Sequence, residues 1–120
     1  MRTSILDNVI NAQGIVEPGK MASFFHTNIK EIASVSGVPF STLSRSDRYT
    51  SMKTQQVLRN CTEVINRILP WTGDPIYAYA WYRSESLPEF GGLTAEQLVK
   101  QDRMDAVRLY LNHVSEGGYA

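Results

Sequence analysis

The sequence predicts an all-α fold, and three observations carry that prediction. Apolar residues recur at helical spacing through most of the chain. No stretch alternates polar and apolar residues long enough to make a strand. Proline, glycine and capping residues punctuate the chain at helix-length intervals.

Residues 1–17 show weak periodicity and are expected as a loose arm or a short helix, with Gly14 and Pro18-Gly19 breaking the segment. The arm is bounded at residue 19. Met21 to Phe25 is expected as one or two turns of helix with Met21, Phe24 and Phe25 inward. Asn28, with Glu31 three residues later, is a start signal: a side-chain acceptor for free backbone N–H groups and a reciprocal acid. The helix it opens carries Ile29, Ile32 and Ala33 on one face and ends near Ser36, before Gly37. A second helix is expected from Phe40 to Tyr49, with Phe40 and Leu43 inward.

Residues 53–69 form the longest periodic segment. Val57, Cys61, Val64 and Ile68 mark one row, and Leu58, Ile65 and Leu69 widen it. A stripe this broad calls for a helix buried against two neighbours, and Pro70 is expected to stop it. Asp74-Pro75 restarts a helix with a carboxylate cap and proline at the first helical position. Tyr77, Tyr79, Trp81 and Tyr82 load that helix with aromatic rings. The expectation buries Trp81 and Tyr77; a sharper alternative gives the exposed rings to a protein interface. Ser84 to Leu93 is a loop, Thr94 and Gln97 form a capping box, and a final helix carries Met104, Val107, Leu111 and Val114 on one face until Gly117-Gly118.

The chain has 120 residues, enough for one domain or two very small ones sharing a core. No apolar run suits a membrane helix, and Asp7 and Asn8 interrupt any signal-peptide pattern. A single cysteine, Cys61, rules out an internal disulfide and suits a reducing cytoplasm. With His26 and His113 it has no ligand spacing for zinc, so no metal and no cofactor are expected. No catalytic constellation is visible either. Cys61 lies on a buried stripe without a local base, His26 and His113 lack marked partners, and Glu85 and Glu89 read as surface charges.

Net charge is zero but unevenly placed. Residues 18–70 carry seven Lys/Arg against three acids, or +4; residues 71–120 carry four against seven, or −3; residues 1–17 give −1. The basic region contains the two helices joined at Gly37, which have the spacing of a helix-turn-helix. Ser41, Thr42, Ser44, Arg45 and Arg48 would project from the second helix, and Lys53 and Arg59 read as contacts to the DNA backbone or as ordinary solvated charges. The same pattern also fits a plain helical hairpin within a bundle; Asp47 and Pro39 weigh on that side.

The second half carries a more specific signal. Ala80-Trp81, Leu87-Pro88, Gly91-Gly92-Leu93-Thr94, Gln97-Leu98-Val99, Arg103, Asp105-Ala106-Val107, Tyr110-Leu111 and Gly117-Gly118-Tyr119-Ala120 resemble the toxin-binding domain of Xre/MbcA/ParS-type antitoxins. A helix-turn-helix precedes that domain in the family, so the resemblance covers about residues 20–120. Two positions depart from the pattern: Asp102 stands where glycine is common, and Ala95 where proline is frequent.

The resemblance implies an arm over 1–19, a helix-turn-helix region with its long connecting helix over 20–70, and a toxin-binding domain over 71–120. It implies an antitoxin of a type II toxin–antitoxin pair: not an enzyme, but a protein that blocks the active site of a RES-domain toxin that degrades NAD⁺. It further implies autorepression through operator DNA, as a homodimer or within the toxin complex. Carried over, Trp81 and Leu87 would shape the toxin-binding domain. Arg103 and the tail Gly117, Gly118, Tyr119 and Ala120 would face the toxin. The alternative is a stand-alone transcriptional regulator whose C-terminal half dimerises or senses a ligand.

Overall fold

The computed structural model describes residues 5–118, and among them every regular element is helical. In chain order these are α1 (Ile5–Val9), α2 (Pro18–Phe24), α3 (Ile29–Ser36), α4 (Phe40–Leu43), α5 (Ser46–Tyr49), α6 (Met52–Thr72), α7 (Pro75–Ser84), α8 (Ala95–Lys100) and α9 (Met104–His113). A 3₁₀ turn spans Pro88–Phe90, and a π-helical turn, Val114–Gly118, follows α9. The radius of gyration is 14.0 Å, close to the ~13.6 Å expected for one compact body of this length.

The capping signals place the helix starts. Asn28 accepts from the Glu31 N–H at 2.9 Å, Asp74 from the Ile76 N–H at 2.8 Å, and Thr94 and Gln97 complete a capping box. Each cap satisfies a donor that the first helical turn leaves unpaired, worth about 1 kcal/mol. Proline at the first helical position also begins α2 at Pro18, ahead of Met21, the expected start.

The 21-residue α6 is the axis of the molecule. Most of its stripe is buried: Leu58, Cys61, Val64, Ile65 and Ile68 are each at most 1% exposed, while Val57 and Leu69, expected on the same face, are half-buried at its edges. Around it pack α1, α3, α5, α7, α8 and α9. One hydrophobic core therefore includes Ile5 and Val16 near the start, Ile32 and Leu43 from the helix pair, and Leu98 and Leu111 near the end. Glu63 pairs with Arg108 and Arg67 with Asn112, so α9 runs parallel to α6.

Three expectations about elements are corrected. Pro70 does not stop α6, which continues to Thr72 and is capped by Gly73. Proline removes only its own N–H, and so near a C-terminus the cost is a single ladder bond toward residue 66. The final helix is α-helical only to His113, and the π-helical turn carries it on to Gly118.

Of the two forms expected for the start of the chain, the described residues take the short helix, α1, and it is held in place. Ile5, Val9 and Val16 are fully buried. The buried Gln55 amide reaches back from α6 to accept from the Val16 N–H at 2.8 Å and to donate to the Val16 carbonyl at 3.0 Å.

The third correction concerns the second helix of the pair. It is not continuous from Phe40 to Tyr49 but two single turns, α4 and α5, broken at Arg45. Arg45 is extended (φ −127°, ψ 123°), and its carbonyl accepts from the N–H groups of Arg48 and Tyr49 at 2.9 Å. The Ser44 hydroxyl donates to the Phe40 carbonyl at 2.8 Å, at the C-terminal end of α4, and the Thr50 hydroxyl to the Ser46 carbonyl at 2.8 Å, at the end of α5. The extended backbone of Arg45 separates the two turns and lets its carbonyl open the second.

Candidate binding surfaces

The helix pair is built around Gly37, whose φ of +78° places it in the left-handed region that glycine enters without strain. Its N–H bonds to the Ala33 carbonyl at 2.9 Å, ending α3. Val38 and Leu43 then take the inward places, at 8% and 1% exposure. Phe40, expected inward, is instead 47% exposed, because α4 is a single turn whose inward side is taken by Leu43.

Of the six residues expected at DNA, Ser41, Ser44, Arg45, Arg48 and Lys53 are exposed and Thr42 is half-buried. They are not arranged along one helix. Ser41 and Thr42 belong to α4, Arg48 to α5 and Lys53 to the first turn of α6. Arg45, at the break, turns its guanidinium to Asp47 (Nε to Oδ1, 3.3 Å). Thr42 and Lys53 do come together: both line an open groove of about 910 Å³. Its walls are the α3–α4 turn, the first half of α6, and the α8–α9 turn with Val99, Lys100 and Asp102. The groove is thus shared between the basic and the acidic halves of the chain.

Arg59, another member of the basic region, is taken up internally, since its guanidinium bonds to the Gly14 carbonyl.

In the second half, α7 turns Ala78 and Tyr82 into the core, not Trp81 and Tyr77. Tyr82 is fully buried, Trp81 half-buried and Tyr77 67% exposed. The reason lies four residues apart: Ala78 is small, and Tyr82 one turn later sends its hydroxyl to Cys61 Sγ at 3.5 Å. Desolvation pushes the Cys61 thiol up to about 11, and it pushes the Tyr82 hydroxyl far above its ordinary value. Both groups are neutral core members, as expected for the cysteine.

Tyr79 stacks on Phe25 at 4.9 Å between ring centres. Its hydroxyl is buried beside Arg83 without a bond of good geometry, and burial raises its pKa. Trp71, Ile76 and Tyr77 leave large apolar side chains at the surface around the α6–α7 corner.

Leu87 is a core residue at 1% exposure. Its N–H donates to the Leu93 carbonyl at 3.0 Å, across a loop whose tip, Gly91-Gly92, holds two consecutive positive φ angles of +69° and +88°. Only glycine adopts two such angles in a row cheaply.

Arg103 is exposed, with its guanidinium carbon 5.7 Å from the centre of the Phe90 ring. Phe90 in turn meets Tyr110 edge-on at 6.1 Å. Gly117 and Gly118 lie in the π-helical turn, while Tyr119 and Ala120 fall outside the described residues.

One constellation has almost no signature in the sequence. Arg83 on α7 donates to Glu96 on α8 through Nε at 2.8 Å and Nη2 at 3.1 Å. It also bonds to Glu31 and to the Ser34 hydroxyl at 3.1 Å on α3. Lys100 closes on Glu96 at 2.7 Å. Hydrogen bonding to Glu96 holds the Arg83 guanidinium still further above its ordinary pKa. The Glu31 carboxylate, expected to cap its own helix, is committed here instead. The only local sign is the Glu96–Lys100 spacing of four residues.

Among the described residues no cluster of His, Cys, Asp or Glu could hold a metal ion, and no helix is long and apolar enough to cross a membrane. No protein-family model, curated protein or solved structure matches this chain.

Proposed function

We propose that this chain is a binding protein of the Xre/MbcA/ParS antitoxin type, which occludes an NAD⁺-degrading RES-domain toxin with its C-terminal half. The observation that supports this reading most is local geometry at the two departures from the family pattern. Asp102, where glycine is common, has a φ of +62°. Aspartate is among the few non-glycine residues that enter this region at modest cost. Ala95, where proline is frequent, is the first residue of α8 after the Thr94 cap, the helical position that proline prefers. Each substituted residue thus sits in a backbone conformation suited to the residue it replaces.

The surface of that half suits a protein partner. Tyr77 and Ile76 are exposed, Arg103 is held over Phe90, and aromatic and arginine side chains are the types enriched at interfaces. Trp81 and Leu87 support the scaffold from within, and the Gly117–Ala120 tail is proposed as the segment that enters the toxin's NAD⁺ cleft. Operator binding belongs to the helix pair, but with α4 and α5 each one turn long it rests on phosphate contacts from Arg45, Arg48 and Lys53 more than on base reading.

Co-expression with a tagged RES-domain toxin tests the proposal. Stoichiometric co-purification supports it. A toxin that purifies alone contradicts it.

A further inference from the structure

Glu96 is a charged side chain taken almost out of water, at 7% exposure. Its carboxylate is matched by Arg83 on one side and Lys100 on the other. Both cations also touch the helix pair. Arg83 spans to Glu31 and Ser34 on the outer side of α3. The Lys100 stem lies beneath the α3–α4 turn, with its Cγ and Cε 3.7 Å from where a Cβ on Gly37 would stand. The helix α3 is therefore held from α7 by the Arg83 guanidinium, and the turn that follows it rests on the aliphatic stem of Lys100 from α8, in addition to the apolar anchors Ile32 and Val35.

The geometry points to a coupling device: the ion-pair cluster centred on Glu96 ties the conformation of the α3–α4 turn to α7 and α8. The helix pair is not an autonomous module. A partner group that draws Arg83 or Lys100 away from Glu96 loosens the turn, and a partner that favours the closed cluster tightens it; coupling requires such differential contact. Arg83 and Lys100 are partly exposed (side chains 25% and 35%), so an incoming carboxylate can reach them. On the proposed function, on which this last step rests, a toxin docked on the C-terminal half changes the operator-facing pair through these side chains.

The coupling belongs to the chain alone, so its test needs neither toxin nor DNA. Amide hydrogen exchange is measured on the full chain and on Glu96→Gln, Lys100→Met and Arg108→Ala. Glu96→Gln is expected to speed exchange of the Val35, Ser36 and Gly37 amides by roughly tenfold, with little change at Leu58 and Leu111. Lys100→Met keeps the stem under Gly37 and, as a partly exposed replacement, leaves the core intact; a smaller rise of roughly threefold at the same amides is expected. Arg108→Ala removes a bidentate ion pair confined to α6 and α9 and is expected to leave the turn unchanged. Unaltered exchange at residues 35–37 in Lys100→Met overturns the coupling. So does a rise in Glu96→Gln that is equal at Leu58 and Leu111. Either result leaves toxin binding to be judged on its own experiment.

Discussion

Arg83 grips Glu96 with two parallel N–H···O bonds, at 2.8 and 3.1 Å, across the space between α7 and α8. Removing one partner of such a pair strands the other in a poorly solvated site, and that penalty exceeds the net worth of the pair. Arg83→Met is therefore expected to lower unfolding free energy by roughly 2–3 kcal/mol, less than a fully uncompensated charge would cost because Lys100 remains. Adding Glu96→Leu is expected to recover most of the loss. Urea denaturation of the two variants checks both expectations.

Asp102 holds a φ of +62° between α8 and α9. Asp102→Gly is expected to be neutral or to stabilise by up to about 1 kcal/mol, since relief of backbone strain outweighs the added freedom of the unfolded chain. Asp102→Val is expected to destabilise by about 1–2 kcal/mol, because a β-branched residue is strained there. Thermal melts of both variants decide it; a stabilised valine variant would contradict this account.

Burial raises the Cys61 thiol from 9.0 to about 11. The native state therefore keeps its proton at pH values where the unfolded chain has lost it. The sign follows directly: the contribution is complete below pH 9 and is lost as pH rises toward and through 11. Stability is expected to fall by roughly 2–3 kcal/mol over that range from this residue. Tyr82, also raised, steepens the fall above pH 10. Cys61→Val should flatten the lower part of the curve. Native Cys61 should also react with a thiol reagent only at the rate of unfolding.

Local rules made much of the fold legible in the sequence. Asn28, Asp74-Pro75 and Thr94 announced helix starts that the structure keeps, and the row Leu58, Cys61, Val64, Ile65, Ile68 announced the buried face of α6. What escaped the sequence was decided by competition or distance. The break at Arg45 is a change of backbone conformation at a single residue between two runs of helix-compatible sequence. The inward turn of Tyr82 depends on a sulfur twenty-one residues earlier in the chain. The Arg83 cluster joins positions 31, 34, 83, 96 and 100, and beyond the four-residue spacing of Glu96 and Lys100 no local pattern relates Arg83 to the others. At the candidate surfaces, residue types were readable but their shared groove was not, because Lys53 and Asp102 meet there only through tertiary packing.

Operator binding, if it runs through the exposed basic side chains, has a distinct signature. Arg45→Ala combined with Arg48→Ala is expected to weaken binding to the promoter fragment and to lower the slope of log K against log salt by about 2, one for each phosphate that an arginine no longer neutralises. Relative preference among sequences should change little, as α4 and α5 are single turns. An unchanged salt slope would place any DNA-binding surface elsewhere.

The proposed occlusion of an NAD⁺-degrading toxin is read from the turnover of that enzyme class. NAD⁺ breakdown by a purified RES-domain toxin is titrated with the full chain and with a chain lacking Gly117–Ala120. The full chain is expected to abolish turnover at stoichiometric amounts, and the shortened chain to bind yet leave substantial activity. Undiminished NAD⁺ breakdown at a saturating excess of the full chain would contradict it.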